Sequence, residues 1–274
     1  MFKSNLAARI FTCVVGIPAL FALIFLLPQN RFMPLSIFIF ILSLGGSIEM
    51  SKLLFKKVVP ASFLVWILPL VEYFLPQYTG FALIIILSVL LFTEVISGEK
   101  EEFKNSITNG AKLVLLTVYP SYFLTFLIRL LSLEHITPYA VVLFLTLVFG
   151  NDIFAYVFGM LFGKYTSHPF KVSPKKSMAG FIGGFVCCVG LSVLYCSLLS
   201  DKVSSPSLLQ MILLGAGMSV FANMGDLVES VFKRSAGVKD SGNVVPGRGG
   251  VLDCIDSVIF SAPFFYLMYA GFAV

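Results

Sequence analysis

Charge is what this sequence lacks most. Only 12% of its 274 residues are charged, against 58% hydrophobic. A soluble domain carries about 25% charged residues, and half that number cannot cover the surface of a globule of this size. Histidine is nearly absent too. His135 and His168 fall in different loops, so no His-based metal site is expected. The five cysteines form no CxxC pair, and their number is odd. That excludes a disulfide framework and a zinc ribbon, and they read as small buried hydrophobes. There is no basic–aromatic stripe and no polar segment long enough for a nucleic-acid module, so no nucleic acid is expected as a partner.

What is present is long apolar runs. A membrane-crossing helix needs about 20 such residues, and nine runs qualify, at 9–28, 32–48, 58–75, 79–97, 110–133, 138–162, 179–200, 207–232 and 252–273. They do not alternate with a period of two, so the expected fold is an all-α, polytopic helical bundle in a membrane. The run from Ile10 to Pro28 is long for a signal-peptide core and has no clear cleavage site after it, so it reads as a permanent helix. With the N-terminus inside and the C-terminus outside, sixteen of the nineteen basic residues fall on inner segments, leaving Arg31, Arg129 and Lys202 outside. That asymmetry obeys the positive-inside rule. The net charge of +5 then reflects topology and attraction to anionic lipid headgroups.

The two halves differ in chemistry. Residues 1–135 read as a transmembrane scaffold. Glu49 and Lys52, three apart, are placed to pair on one helical face. Residues 136–274 carry acids inside apolar runs: Asp152, then Asp226 and Glu229, then Asp253 and Asp256. An ionised side chain at the centre of a spanning helix costs about 2.5–3.5 kcal/mol on insertion scales, which makes such residues functional candidates. Interfacial placement explains one or two of them, but hardly five. Asp226, Glu229, Ser230 and Lys233 share one helical face, as do Asp253, Asp256 and Ser257, and Asp152 lies one turn from Tyr156. Carboxylates converging on one inner-leaflet cavity suit Mg²⁺, which takes one or two of them plus substrate phosphates.

Between the last two acidic faces runs a glycine-rich basic loop with Pro246-Gly247-Arg248-Gly249-Gly250. Such backbone lets amide groups approach phosphate closely. A second basic loop from Lys164 to Lys176 is a candidate phosphate clamp. Together these residues equip a site for a polyphosphate beside a lipid.

The string Ser230-x-x-Lys233-Arg234-x4-Lys239-Asp240-x5-Pro246-Gly247-x-Gly249-Gly250-x2-Asp253-x2-Asp256 resembles the signature of the phosphatidate cytidylyltransferase (CDP-diacylglycerol synthase) family. Asp152-x3-Tyr156, Phe162-Gly163-Lys164, Ser173-Pro174-Lys175-Lys176-Ser177 and Gly225-Asp226-Leu227-x-Glu229-Ser230 extend the resemblance over roughly residues 150–260. It implies a membrane enzyme of phospholipid biosynthesis that joins CTP to phosphatidic acid, giving CDP-diacylglycerol and pyrophosphate. Catalytic roles would fall to Asp226, Lys239, Asp240, Asp253 and Asp256, with Mg²⁺ on Asp226, Asp253 and Asp256 and room for a second, monovalent cation. Substrate contacts would come from Asp152, Tyr156, Lys164, Ser173, Lys175, Lys176, Ser230, Lys233, Arg234, Pro246, Gly247, Arg248, Gly249 and Gly250. The expected place is the cytoplasmic (inner) membrane, with the site facing the cytoplasm. A homodimer is the leaning for assembly, since two-fold dimers are the commonest oligomers. The chain departs from the family pattern at Arg248, where His is usual, and at Cys254, where Arg is usual. It departs also at Ile153 after Asp152, and at Ala179, where a Glu is usual. The rival reading, a transporter or flippase for an anionic substrate, would use the same buried charges but release no pyrophosphate from CTP. A structural scaffold would tolerate loss of the acids.

Overall fold

The computed structural model describes residues 12, 14–27, 30–99, 102–199 and 206–273. Among them there are helices, turns and a single isolated β-bridge, and no strand. Among the described residues, nine helical segments fall within or close to the nine apolar runs. They are α1 (Val14–Leu26), α2 (Met33–Phe55), α3 (Ala61–Phe74), α4 (Thr79–Gly98), α5 (Ser106–Leu131), α6 (Pro138–Phe162), α7 (Met178–Leu199), α8 (Leu208–Ala236) and α9 (Leu252–Ala270). Among the described residues seven are long and apolar enough to cross a membrane by length and composition, against the nine crossings expected; the described parts of α1 and α3 are shorter. The expected start of the first span at residue 9 lies outside the described residues, as do Lys3, Arg9, Cys13, Lys100 and Lys202.

The irregularities have local causes. α3 breaks at Trp66, between Ala61–Val65 and Ile67–Phe74. Pro69 has no amide hydrogen to give to the carbonyl four residues back, at Val65. The Trp66 indole instead donates to the Phe40 carbonyl of α2 at 2.8 Å. α5 passes through a π-helical stretch, Thr117–Tyr122, that contains Pro120. There the Ser121 hydroxyl meets that of Ser47 on α2 at 2.9 Å.

The chain forms two compact units. The first holds Leu27–Ser132, the described residues up to Leu23, and a second stretch, Asp240–Leu252. Its buried helix is α2, whose Leu35, Ile39, Met50 and Leu53 are covered. In this unit Arg129 grips Glu72 with both guanidinium arms, at 2.9 and 2.6 Å. α4 turns Phe81, Ile84, Phe92 and Ile96 outward, the apolar surface that suits lipid.

The second unit holds Leu133–Lys239 and the residues from Asp253 onward, together with Ile24–Leu26. Its helices approach closely at small residues, the usual way to pack helices where no water drives them together. A Cβ at Gly180 would stand 2.7 Å from the Ala155 carbonyl of α6, and one at Gly215 would stand 2.9 Å from the Cys188 carbonyl of α7. Gly225 of α8 lies against the Asp256 carbonyl of α9 in the same way. Aromatic contacts fill the rest, including Phe144 edge-on to Phe265 at 5.1 Å and Phe265 stacked on Tyr269 at 5.8 Å.

Candidate active site

The close approaches of α6, α7, α8 and α9 bring the intramembrane acids together. Asp152, Asp226 and Asp256 come from three different helices, and each lies within electrostatic reach of the other two. Lys176, from the loop ahead of α7, forms an ion pair with Asp226 Oδ2. The Ser230 hydroxyl lies 3.4 Å from the other oxygen of Asp226. Asp256 Oδ1 accepts the Ser257 amide at 2.5 Å, close to the N-terminus of α9.

Beside this cluster Lys233 binds two acids. It donates to Asp253 Oδ1 at 2.7 Å and pairs with Glu229, which is fully buried. Charges this far from water are tolerated only when paired, so Lys233, Glu229 and Asp253 stand as one unit. Sequence spacing placed Glu229 and Lys233 on one face. It did not show that Lys233 would also reach across to α9.

A cavity of about 510 Å³ opens onto the cluster. Asp152, Tyr156, Lys175, Lys176, Asn223 and Asp226 supply its polar lining, and Met160, Phe181 and the small residues Ala155, Gly159 and Gly180 supply its apolar wall. The loop that delivers the lysines is braced at both ends. Ser173 accepts the Lys176 amide at 3.0 Å in a turn, Thr166 Oγ1 accepts the Ala179 amide at 3.1 Å, and the buried Ser177 caps α7 through the Gly180 amide at 3.3 Å. Ser173 thus shapes the turn through its backbone. Lys164 is exposed and lies over the Tyr165 ring at 4.6 Å, outside the cavity lining.

One contributor escaped the sequence reading. Asn151 is fully buried beside Asp152. Its Oδ1 accepts the Ser219 hydroxyl at 2.6 Å, and its Nδ2 lies 3.4 Å from Asp152 Oδ1. Asn223 donates to the Ser219 carbonyl at 2.8 Å and so completes the brace. A buried amide next to an acid was the available signal.

At the end of α8, Gly237 takes a left-handed φ of +75° and closes the helix, its amide and that of Val238 returning to Arg234 and Lys233. Arg234 donates onward to the Val238 carbonyl at 3.2 Å. Lys239, the last residue of this unit before the loop, is exposed.

The remaining site residues, Asp240, Pro246, Gly247, Arg248, Gly249 and Gly250, belong to the first unit. They form an arch. Val245 and Gly249 exchange backbone hydrogen bonds at 2.8 and 3.1 Å, and Gly247 and Gly249 adopt φ of +74° and +104°, which residues with a Cβ rarely tolerate. Thr12 donates to the Pro246 carbonyl at 2.9 Å. Glu49 does not pair with Lys52 as its spacing suggested. Lys52 is exposed, while Glu49 turns inward to the two ends of this arch.

The donor set suits a hard divalent cation. Among the described residues no three His, Cys, Asp or Glu side chains form a metal-holding group by themselves. Asp226 and Asp256, brought close by the Gly225 contact, offer carboxylate oxygens, and Mg²⁺ commonly needs no more than one or two from the protein. Asp253 is engaged by Lys233.

Comparison with known proteins bears on the whole chain. A profile of the Cytidylyltransferase family matches residues 7–272. The phosphatidate cytidylyltransferase of Aquifex aeolicus is 38% identical over 161 residues, a stretch that takes in 58% of each chain. That of Haemophilus influenzae is 40% identical over 146 residues, 51% of this chain and 50% of the relative. The Bacillus subtilis enzyme of the same name is 29% identical over 282 aligned positions, covering 98% of this chain and 99% of that one. The match thus extends through the scaffold half, where the sequence motifs are silent, and the chain belongs to the cytidylyltransferase family.

Proposed function

We propose that this protein transfers the cytidylyl group of CTP to phosphatidic acid, forming CDP-diacylglycerol and pyrophosphate. The observation that carries the reading is the meeting of Asp152, Asp226, Asp256 and Lys176 beside an apolar-walled cavity, in a chain matched to the family over nearly its whole length.

In this reaction a phosphate oxygen of phosphatidate attacks the α-phosphorus of CTP. One P–O bond forms, the bond between the α- and β-phosphates breaks, and pyrophosphate leaves with the electron pair. The attacking monoester is already ionised near neutral pH, so the site needs no general base. Its work is positioning and charge neutralisation. Lys175 and Lys176 offer cations to the phosphates. Asn151, held by Ser219, orients Asp152. Lys233 fixes Asp253 at the start of α9. Mg²⁺ held by Asp226 and Asp256 would supply neutralisation of the charge on the departing pyrophosphate. The Asp240–Leu252 arch, by its glycines and Arg248, is a further phosphate-binding element. The reading places the chain in the inner membrane with the site on the cytoplasmic side, which is where CTP is available.

The test uses the purified full chain in detergent with CTP, phosphatidic acid and MgCl₂, following pyrophosphate and lipid-linked cytidine together. Wild type should form both in equal amounts. Asp226→Asn and Asp256→Asn, inserted at the wild-type level, should each lose at least about 100-fold, the scale of removing a group that stabilises transition-state charge. Absence of CTP-dependent pyrophosphate in the wild type, over several lipids and metals, would end this reading in favour of transport.

A further inference from the structure

Glu49 is 4% exposed, deep in the first unit on α2. A buried carboxylate is strongly unfavourable unless its oxygens are satisfied. Here its hydrogen-bond donors come from the two ends of the arch. Oε2 accepts the Ser241 hydroxyl at 2.8 Å and the Leu252 amide at 2.8 Å, and Oε1 accepts the Val251 amide at 3.0 Å. Among the described residues no lysine or arginine forms an ion pair with Glu49. The carboxylate is therefore spent on holding backbone and hydroxyl donors.

The surroundings are shaped to admit it. A Cβ at Gly242 would stand 2.5 Å from Glu49 Oε1, and a Cβ at Gly250 would overlap both the Glu49 carboxylate and the Ser241 hydroxyl. Only glycine at both positions leaves the neck of the arch open to the carboxylate. One turn earlier on α2, a Cβ at Gly45 would stand 3.1 Å from Val251 Cγ2, so the helix backbone itself comes close to the arch.

The arch is thus fastened at its tip and at its neck. Its tip is braced by its own backbone, from Val245 to Gly249, and by Thr12 on the Pro246 carbonyl. Its neck is closed by Glu49. The two amides Glu49 holds are at the beginning of α9, whose first turn carries Asp253. The leading amides of a helix have no partner within the helix, and a carboxylate on them fixes where the helix starts. An amide side chain could not substitute. Gln has one acceptor oxygen and would point its NH₂ at a donor N–H.

We propose that Glu49 is a positioning residue of the cytidylyl transfer: its carboxylate clamps both ends of the Ser241–Leu252 arch and thereby holds the glycine-rich loop in the shape that binds phosphate. The role rests on the reaction proposed above, and Glu49 itself touches no substrate.

The test compares wild type, Glu49→Gln and Gly250→Ala as full chains in detergent. Three quantities are read: kcat and KM for CTP, the rate of tryptic cleavage after Arg248, and Tm. Gly250→Ala keeps the carboxylate but denies it the neck, so it guards against an effect of charge loss alone. Both variants should lose about 10- to 100-fold in kcat/KM, the range seen when a supporting shell shifts a reacting group by up to about 1 Å. Both should be cut after Arg248 at least about tenfold faster, the arch being freed at its neck. Ser241→Ala, which removes one of three donors, should fall between them and wild type on both readouts. A Glu49→Gln protein with kcat/KM and cleavage within twofold of wild type overturns the proposal, and so does lost turnover with unchanged cleavage. A fall in Tm with neither of the other changes would make Glu49 merely structural and also overturns it. If wild type releases no pyrophosphate, the reaction is wrong, while accelerated cleavage in the variants still reports the clamp.

Discussion

Replacing Gly225 with alanine should separate the two acids that face each other across α8 and α9 without altering either. A methyl group at Gly225 would meet the Asp256 carbonyl oxygen, with the carbonyl carbon and Phe260 Cβ both at 3.0 Å. Ordinary van der Waals contact begins at 3.4 Å. The obstructing atoms are mostly backbone, so no side-chain rotation relieves the overlap. The helices must part by about 0.4–1 Å, at a cost of about 1–3 kcal/mol in stability. Asp226 is the next residue along α8 and moves with it, away from Asp256. Misplacement approaching 1 Å costs up to about 100-fold in rate, or about 2.7 kcal/mol of barrier. The expected result is a 10- to 100-fold fall in kcat/KM for CTP, measured as pyrophosphate release in detergent micelles, with a lowered Tm. Gly190→Ala is the control, because a Cβ there meets nothing within 4 Å. It should match wild type in turnover. A Gly225→Ala enzyme within twofold of wild type would show that the contact between these helices does not set the geometry of the acids.

Lys233→Met leaves Glu229 and Asp253 buried without their cation, and should cost about 3–5 kcal/mol by chemical denaturation; a change under about 1 kcal/mol would contradict the pairing. Arg129→Met strands Glu72 in the first unit. It should cost nearer 3 kcal/mol by the same reasoning, since Arg129 is 31% exposed, while KM for CTP stays within twofold of wild type. Asn151→Leu removes the acceptor for Ser219 and the brace on Asp152, and should lower kcat about tenfold with a small effect on KM, since one hydrogen bond near charge is worth about 1.5 kcal/mol or more. Chelation with EDTA should abolish turnover and added Mg²⁺ restore it. Asp226→Asn should raise the Mg²⁺ concentration needed for half-activity, and an unchanged requirement would remove Asp226 from the metal site.

The helical class was legible because apolar runs of spanning length leave the backbone no other way to satisfy its hydrogen bonds. The second run contains Gly45-Gly46 and is followed at once by Glu49, yet α2 continues through Glu49 to Phe55. The acid is hidden by its partners, and Ser47 returns its hydroxyl to Ser43 at 2.7 Å. The break in α3 at Trp66 followed from Pro69, a local cause that hydropathy averages away. The acidic faces were legible from helical spacing, which placed Asp226, Glu229, Ser230 and Lys233 in one row. Spacing along a helix says nothing about which neighbour is reached. Lys176 on Asp226, Lys233 on Asp253 and Ser219 on Asn151 are all contacts between separate segments. The membership of Asp240–Leu252 in the first unit was beyond reach for the same reason. Its fastening on Glu49 spans 192 to 203 residues of the 274-residue chain, and no short-range pattern encodes that.

That separation has a consequence for how the protein is made. Ser241, Val251 and Leu252 lie 192, 202 and 203 residues after Glu49. At about 5–20 residues per second of synthesis, α2 waits on the order of 10–40 s for the donors that satisfy its carboxylate. During that interval the newly made helix holds an acid with none of its eventual partners, so Glu49 must be hydrated at the bilayer edge or shielded by insertion machinery. The early half of the chain therefore cannot finish folding as it emerges. The first unit is complete only once the Asp240–Leu252 stretch has been made, so a polypeptide released before that point would lack every donor that Glu49 holds in the folded chain.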